Sequence, residues 1–266
     1  MSDAIRLDRE DGVLWLTLNR PDSRNAMNEE MVLALAAVFE GLPDDPQTRA
    51  LVLRGTGQDF SSGGDLKDIS GVLTLPAAER TARLRELVRS NAARMFLALD
   101  RVPQPVLVSV RGHAIGAAVQ MTAVADLVIA SDTARFSIPQ VNLAHTVDHG
   151  ESYHLPRKVG LARALEICLL GDRFDAAQAQ RFGLVNWVVA DAELDAATAK
   201  LAARLGRAPP LAARGMKALL RSSASRSLEE QFGAEREMIG RCVATEDFVE
   251  AIRAFLDKRR PQFTGR

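Results

Sequence analysis

The sequence predicts an α/β protein: a layered core in which short strands and helices alternate, followed by a tail that is almost all helix. Three observations carry this. Apolar runs of strand length, at Val13–Leu18, Ala50–Leu53, Pro105–Val110 and Asp126–Ala130, alternate with stretches of helical periodicity. The connections between them are short, as in layered α/β folds. From Ala192 onward the pattern is helical throughout, broken only by Gly206, Pro209-Pro210 and Ser222–Ser227.

At the start of the chain, two alternating segments flank Asp11-Gly12, a dipeptide that favours tight hairpins. Asn28 followed by Glu29 and Glu30 reads as a cap and acidic first turn for a helix. That helix puts Met31, Leu35, Val38, Phe39 and Leu42 on one face, and Pro43 and Pro46 end it. Ala77–Leu99 reads as one long amphipathic helix, and Leu155–Leu170 and Asp175–Phe182 as two more, stopped by Gly171 and Gly183. The segment 136–154 has no clear periodicity and reads as a loop, of the kind that often carries function. The tail divides into helices near 195–205, 211–221, 228–242 and 248–258.

Composition narrows the partners. The 34 basic and 34 acidic residues cancel, which gives no electrostatic reason to expect nucleic acid or an anionic membrane surface. No apolar run approaches the ~18 residues of a membrane span, and the first twenty residues lack the pattern of a signal peptide. Cys168 and Cys242 are too few for a disulfide framework and lack metal-ligand spacing. The expectation is a cytoplasmic protein with reduced thiols.

Two small-residue turns stand out. In VRGHAIGAAVQ, residues 110–120, an apolar strand leads to an amphipathic helix opening near Gly116. The first N–H groups of a helix lack intrahelical acceptors and carry partial positive charge, and the small residues there let a ligand oxygen approach the backbone. In SSGGD, residues 61–65, a second turn offers another accessible N–H. Alone, each turn could equally serve tight packing.

The segments FSSGGDLKDI, PVLVSVRGHAIGAAVQM, ADLVIASDTARF, LPRKVGLARALEICLLG and FLDKRRPQF, in that order, resemble the crotonase, or enoyl-CoA hydratase/isomerase, superfamily. NRPDSRNAMN at 19–28 resembles the family's N-terminal CoA-binding loop. The resemblance implies a crotonase-like spiral of repeated strand-strand-helix units over residues 1–195, with small perpendicular sheets. It also implies a C-terminal helical oligomerisation region over 196–266, giving a homotrimer or a dimer of trimers. The substrate implied is an acyl-CoA thioester whose oxygen sits between the N–H groups of Gly64 and Ala117. Arg24, Ala26, Ser62, Asp65 and Leu66 would border the nucleotide and pantetheine, and Phe255 and Lys258 would reach the adenine end, from this or another subunit. No metal and no cofactor beyond CoA is implied.

One departure matters. The two glutamates with which hydratases of the family add water map onto Gln120 and Gln140, and an amide cannot accept a proton as a carboxylate does. Asp148 stands where isomerase-type members carry a proton-shuttling Asp and the dehalogenase members a nucleophilic one; the dehalogenases' base histidine maps onto Ala93, which argues against that chemistry. Asp148 is thus the expected base of an enoyl-CoA isomerase. Its alternative is a turn or helix-cap Asp. Gln120 and Gln140 would shape the acyl pocket, His149 would orient or tune Asp148, and Glu151 would either add a carboxylate or face solvent. His145, His149 and His154 raise a metal site as a lesser reading, His113 reads as a satisfied residue at a strand end, and Tyr153 as a packing or pocket residue. Competing functions are a hydratase using other carboxylates, a carbon–carbon bond hydrolase and a non-catalytic acyl-CoA binder.

Overall fold

A computed structural model describes residues 3–87 and 91–266 of the chain. Its centre is a six-stranded sheet in the order β1 (Ile5–Glu10), β2 (Val13–Leu18), β3 (Ala50–Gly55), β4 (Val106–Val110), β6 (Leu127–Ser131) and β9 (Trp187–Val189). β1 and β2 are the hairpin around Asp11-Gly12, and every later pairing in the sheet is parallel.

Parallel strands are covered on both faces, which is why they read as apolar runs rather than alternations. On the inner face Leu14, Leu16, Leu51, Leu53, Val106, Val108, Val128 and Ala130 join the main core, while Val13, Val52, Leu107 and Ile129 point the other way. α1 (Glu29–Gly41) covers the inner face with Met31, Leu35, Ala36 and Phe39 fully buried; burial of such a side chain contributes about 1.5–3 kcal/mol. Asn28 caps it, accepting from the Met31 N–H.

α9 (Leu194–Gly206) covers the outer face through Leu194 and Ala202, and Thr198 meets Ser109 of β4 at 2.8 Å between hydroxyls. The expected boundary between 195 and 196 therefore falls inside a helix packed on the sheet. α10 (Pro210–Ser222), α11 (Leu228–Val243) and α12 (Glu246–Leu256) follow, close to the expected spans. Among the described residues, no helix is long and apolar enough to cross a membrane, and both cysteines are free thiols.

Several local expectations are corrected. Of the helix expected over 77–99, the described residues form α3 (Ala77–Leu87) and α4 (Ala93–Arg101), and 88–90 lie outside the described residues. The helix expected over 155–170 begins earlier and is interrupted: α6 (Glu151–Val159) and α7 (Leu161–Leu170) meet at Gly160, whose φ of 80° and ψ of 155° no helix contains. The helix after Gly116, α5 (Ala117–Val124), is buried on all sides instead of amphipathic, because it runs through the middle of the core. Between β4 and α5 lies β5 (His113–Ile115), which pairs with β7 (Arg135–Ser137) and, through it, β8 (Phe174–Asp175) in a second small sheet. α2 (Leu66–Ser70) and α8 (Ala176–Arg181) complete the fold.

Candidate active site

The small sheet joins the two small-residue turns. Residues 60–64 run beside β5: the Phe60 N–H donates to Arg111 O, Ser61 N–H to His113 O, and Ile115 N–H to Ser61 O. Gly63 then lies so close to the next turn that a Cβ on it would stand 2.5 Å from the Ile115 carbonyl oxygen and 3.6 Å from the Ala117 nitrogen. On the other side, Met27 donates to Gly63 O and accepts from Asp65 N–H, leaving the Gly64 N–H out of that ladder. Ala117 is the first residue of α5, so its N–H has no acceptor within the helix. Gly116 ahead of it has φ 54° and ψ −116°, a conformation reserved for glycine.

These turns border a cleft of about 280 Å³. Ser62, Gly64, Asp65, Leu66 and Ala117 line it, together with Gln140, Asp148 and His149 from the connection between β7 and α6. Arg24 and Ala26 are not on its lining but are tied to residues that are: the Arg24 carbonyl accepts from Ser62 N–H at 2.9 Å, and Arg20 binds both the Ala26 carbonyl and the Asp65 carboxylate. Phe255 and Lys258, both exposed, sit at the far end of α12 and are not on this wall.

Sequence reasoning missed the opposite wall. Val32 of α1, Leu84 of α3, and Met95 and Phe96 of α4 add apolar side chains to the lining, and Glu29 and Asn91, also on it, are hydrogen-bonded to each other. The helical spacing of Met95, Phe96 and Leu99 marks α4 as buried but gives no sign that part of that face is open to a ligand.

The loop before α6 concentrates the charge. Asp148 Oδ1 stands 2.9 Å from His149 Nδ1, and Glu151 Oε1 stands 3.6 Å from the same nitrogen. Glu151 is 1% exposed, which removes the solvent-facing reading; its Oε1 accepts from Gln140 Nε2 at 3.1 Å and its Oε2 from the His149 N–H at 2.8 Å. The His149 ring packs on Phe96, 5.6 Å between centroids. Burial opposes charge on His149, but the close approach of Asp148 and then Glu151 outweighs it and pushes the imidazole up to about 9; the 2.9 Å contact with Asp148 is an ion-pair approach without hydrogen-bond geometry. The ring thus lies between two carboxylates, both of which favour its protonated form.

Gln120 lies behind the wall. It is fully buried, and its Nε2 meets His154 Nδ1 at 2.9 Å; His154 Nε2 meets Asp100 Oδ1 at 3.1 Å, and Arg221 of α10 closes the chain on Asp100 at 3.0 Å. The Asp100 carboxyl is held low by its hydrogen bond to His154 and by nearby Arg221 and Lys217. The three histidines of the loop thus go three ways: His149 to the carboxylates, His154 to Gln120, and His145, exposed, to the Thr146 carbonyl. Among the described residues, the group whose donor atoms lie within metal-ligating reach, 4.8 Å of one another, is instead Asp148, His149 and Glu151. Tyr153 leaves the pocket: it is more than half exposed under the Arg157 guanidinium. His113 is satisfied at the start of β5, 2.6 Å from Asp59 Oδ1.

Residues 8–266 match the family model described as enoyl-CoA hydratase/isomerase. The chain is 35% identical over 267 residues, all of both chains, to the 1,2-epoxyphenylacetyl-CoA isomerase of Escherichia coli, and 34% identical, with the same coverage, to the 2,3-dehydroadipyl-CoA hydratase of that organism. An enoyl-CoA hydratase of Bacillus anthracis superposes with a TM-score of 0.91 at 26% identity, over 99% of this chain and 100% of that one.

Proposed function

The chain belongs to the enoyl-CoA hydratase/isomerase family, and from that premise we propose that it is an enoyl-CoA isomerase in which Asp148 carries the proton. One observation carries the reading: Asp148 lines the same cleft as the Gly64 and Ala117 backbone, while both positions of the hydratase glutamates hold amides engaged elsewhere.

The thioester oxygen accepts from the Gly64 and Ala117 N–H groups, which stabilise it as it becomes an enolate; one such donor is worth about 2.7–4 kcal/mol in the transition state. Asp148 takes the proton from C2 of a 3-enoyl-CoA, the C–H electron pair enters the dienolate, and the same proton returns at C4 to give the 2-enoyl isomer. The His149 ring, 2.9 Å away, orients the Asp148 carboxylate for both transfers. The apolar wall of Val32, Met95 and Phe96 holds the acyl chain and excludes water. Arg24, Ala26, Ser62, Asp65 and Leu66 receive the pantetheine and nucleotide.

The helices after residue 196 expose Met216, Leu220, Phe232, Ile239, Phe248, Ile252, Phe255 and Leu256. So much apolar surface supports assembly, which we read as a homotrimer or dimer of trimers that carries Phe255 and Lys258 to a neighbour's adenine end.

The test is direct. Purified protein converts a 3-enoyl-CoA to the conjugated isomer, followed by the absorbance of the enoyl thioester, and Asp148→Asn abolishes the conversion; a mutant as active as the parent overturns the assignment. The hydratase names of several relatives favour hydration as the second reading. Against it, both oxygens of Glu151 are already engaged. Crotonyl-CoA hydration measured beside isomerisation separates the two.

A further inference from the structure

Glu151 has no role in the proton transfer just described, yet its carboxylate is wholly buried. Removing a carboxylate from water costs several kcal/mol unless its partners compensate. Those partners come from three places: the Gln140 amide, the His149 backbone N–H and the His149 ring. Gln140 in turn packs against the oxyanion turn, where a Cβ on Gly116 would lie 3.7 Å from its Nε2. Its amide orientation is dictated by Glu151: Nε2 faces the carboxylate, and Oε1 is left buried without a hydrogen-bond partner.

We propose that Gln140 and Glu151 are a positioning pair: the amide holds the buried carboxylate, the carboxylate holds His149, and His149 fixes Asp148 on the wall of the cleft. The inference rests on the reading of Asp148 as the proton carrier. It gives the amide at 140 a purpose. A glutamate there would set a second negative charge about 3 Å from Glu151, where like charges destabilise each other, so restoring the hydratase residue damages the site instead of converting it. The charged groups facing His149 are Asp148 and Glu151 on its own segment, with His145 on the same cleft, and α4 offers Phe96; Cys168 of α7 is close enough to Glu151 that burial and the carboxylate raise its thiol.

The experiment compares Glu151→Gln, Gln140→Glu and the exchange Gln140→Glu/Glu151→Gln with the parent enzyme, reading kcat and KM against pH for 3-enoyl-CoA and the NMR titration of the His149 ring. In E151Q the ring titrates well below its parent value of about 9, and the alkaline limb of kcat moves down with it. KM changes little in E151Q, because Glu151 does not line the cleft. Q140E loses about tenfold or more in kcat and gains no crotonyl-CoA hydration. The exchange keeps one carboxylate and one amide and recovers kcat to within roughly threefold of the parent, so it stays informative if a single variant fails to fold. An unmoved His149 titration in E151Q, a Q140E enzyme as active as the parent, or an exchange no better than Q140E overturns the proposal. An Asp148→Asn enzyme that isomerises at the parent rate refutes the base assignment instead, while the titration still decides the pair.

Discussion

His149 Nδ1 stands 2.9 Å from Asp148 Oδ1 and 3.6 Å from Glu151 Oε1, a single ring between two carboxylates. Their field raises the imidazole from 6.5 to about 9, so the folded protein holds a proton here that the unfolded chain releases near neutrality. Stability from this group is complete below about 6.5 and is lost as pH rises through about 9, a contribution on the order of 3 kcal/mol. Burial holds Lys158 and Lys217 down to about 8, which acts in the opposite sense at higher pH. The expected observation is therefore a difference: urea unfolding of the parent and of His149→Gln converges as pH rises from 6.5 to 9. A gap that stays constant contradicts the imidazolium.

Asp148 is the carboxylate of that pair that reaches the cleft. Replacing it with asparagine keeps the shape and removes the base, so kcat for 3-enoyl-CoA isomerisation falls by roughly 10²–10⁴-fold while acyl-CoA still binds. Isothermal titration with a saturated acyl-CoA checks the second half: lost binding means that the substitution disturbed the pocket rather than the chemistry.

Gly63 and Gly64 adjoin in sequence but not in consequence. A methyl group on Gly63 would meet the Ile115 carbonyl at 2.5 Å, at φ 88°, whereas one on Gly64 meets nothing within 4 Å. Gly63→Ala must push the two turns apart, and with them the N–H donors of Gly64 and Ala117. We expect a kcat loss of about 10²–10³-fold, the value of one oxyanion donor, together with a lower melting temperature. Gly64→Ala keeps the melting temperature of the parent. Equal melting temperatures for the two variants would dissociate Gly63 from the spacing of the turns.

The elements legible in the sequence are those whose signal is local. The Asp11-Gly12 hairpin, the Asn28 cap and the apolar face of α1 each depend on neighbours a few residues away, and all three form as read. β5, β7 and β8 have three, three and two residues, too short for any periodicity to register. α5 misleads because a helix enclosed on every side has no polar face to reveal its period. In the site, the small residues of both turns advertise themselves, but the state of Glu151 does not. Whether a carboxylate in this loop is solvated or buried depends on an amide eleven positions upstream turning toward it, and nothing local encodes that.

Gln120 invites the simplest engineering, since a glutamate there would match the hydratases. The geometry predicts that Gln120→Glu fails to create one. The side chain is fully buried behind the cleft wall, with its amide 2.9 Å from His154 Nδ1. Asp100 already faces the other ring nitrogen at 3.1 Å. A carboxylate at 120 would pair with that ring and spend its charge away from the substrate. Crotonyl-CoA hydration by Gln120→Glu should then stay at the parent level, while the His154 ring, followed by NMR, titrates at higher pH than in the parent. Adding His154→Ala removes the competing partner, so any latent hydratase chemistry should surface in the double variant first. Hydration gained by the single variant would mean that the side chain at 120 can leave His154 and enter the cleft.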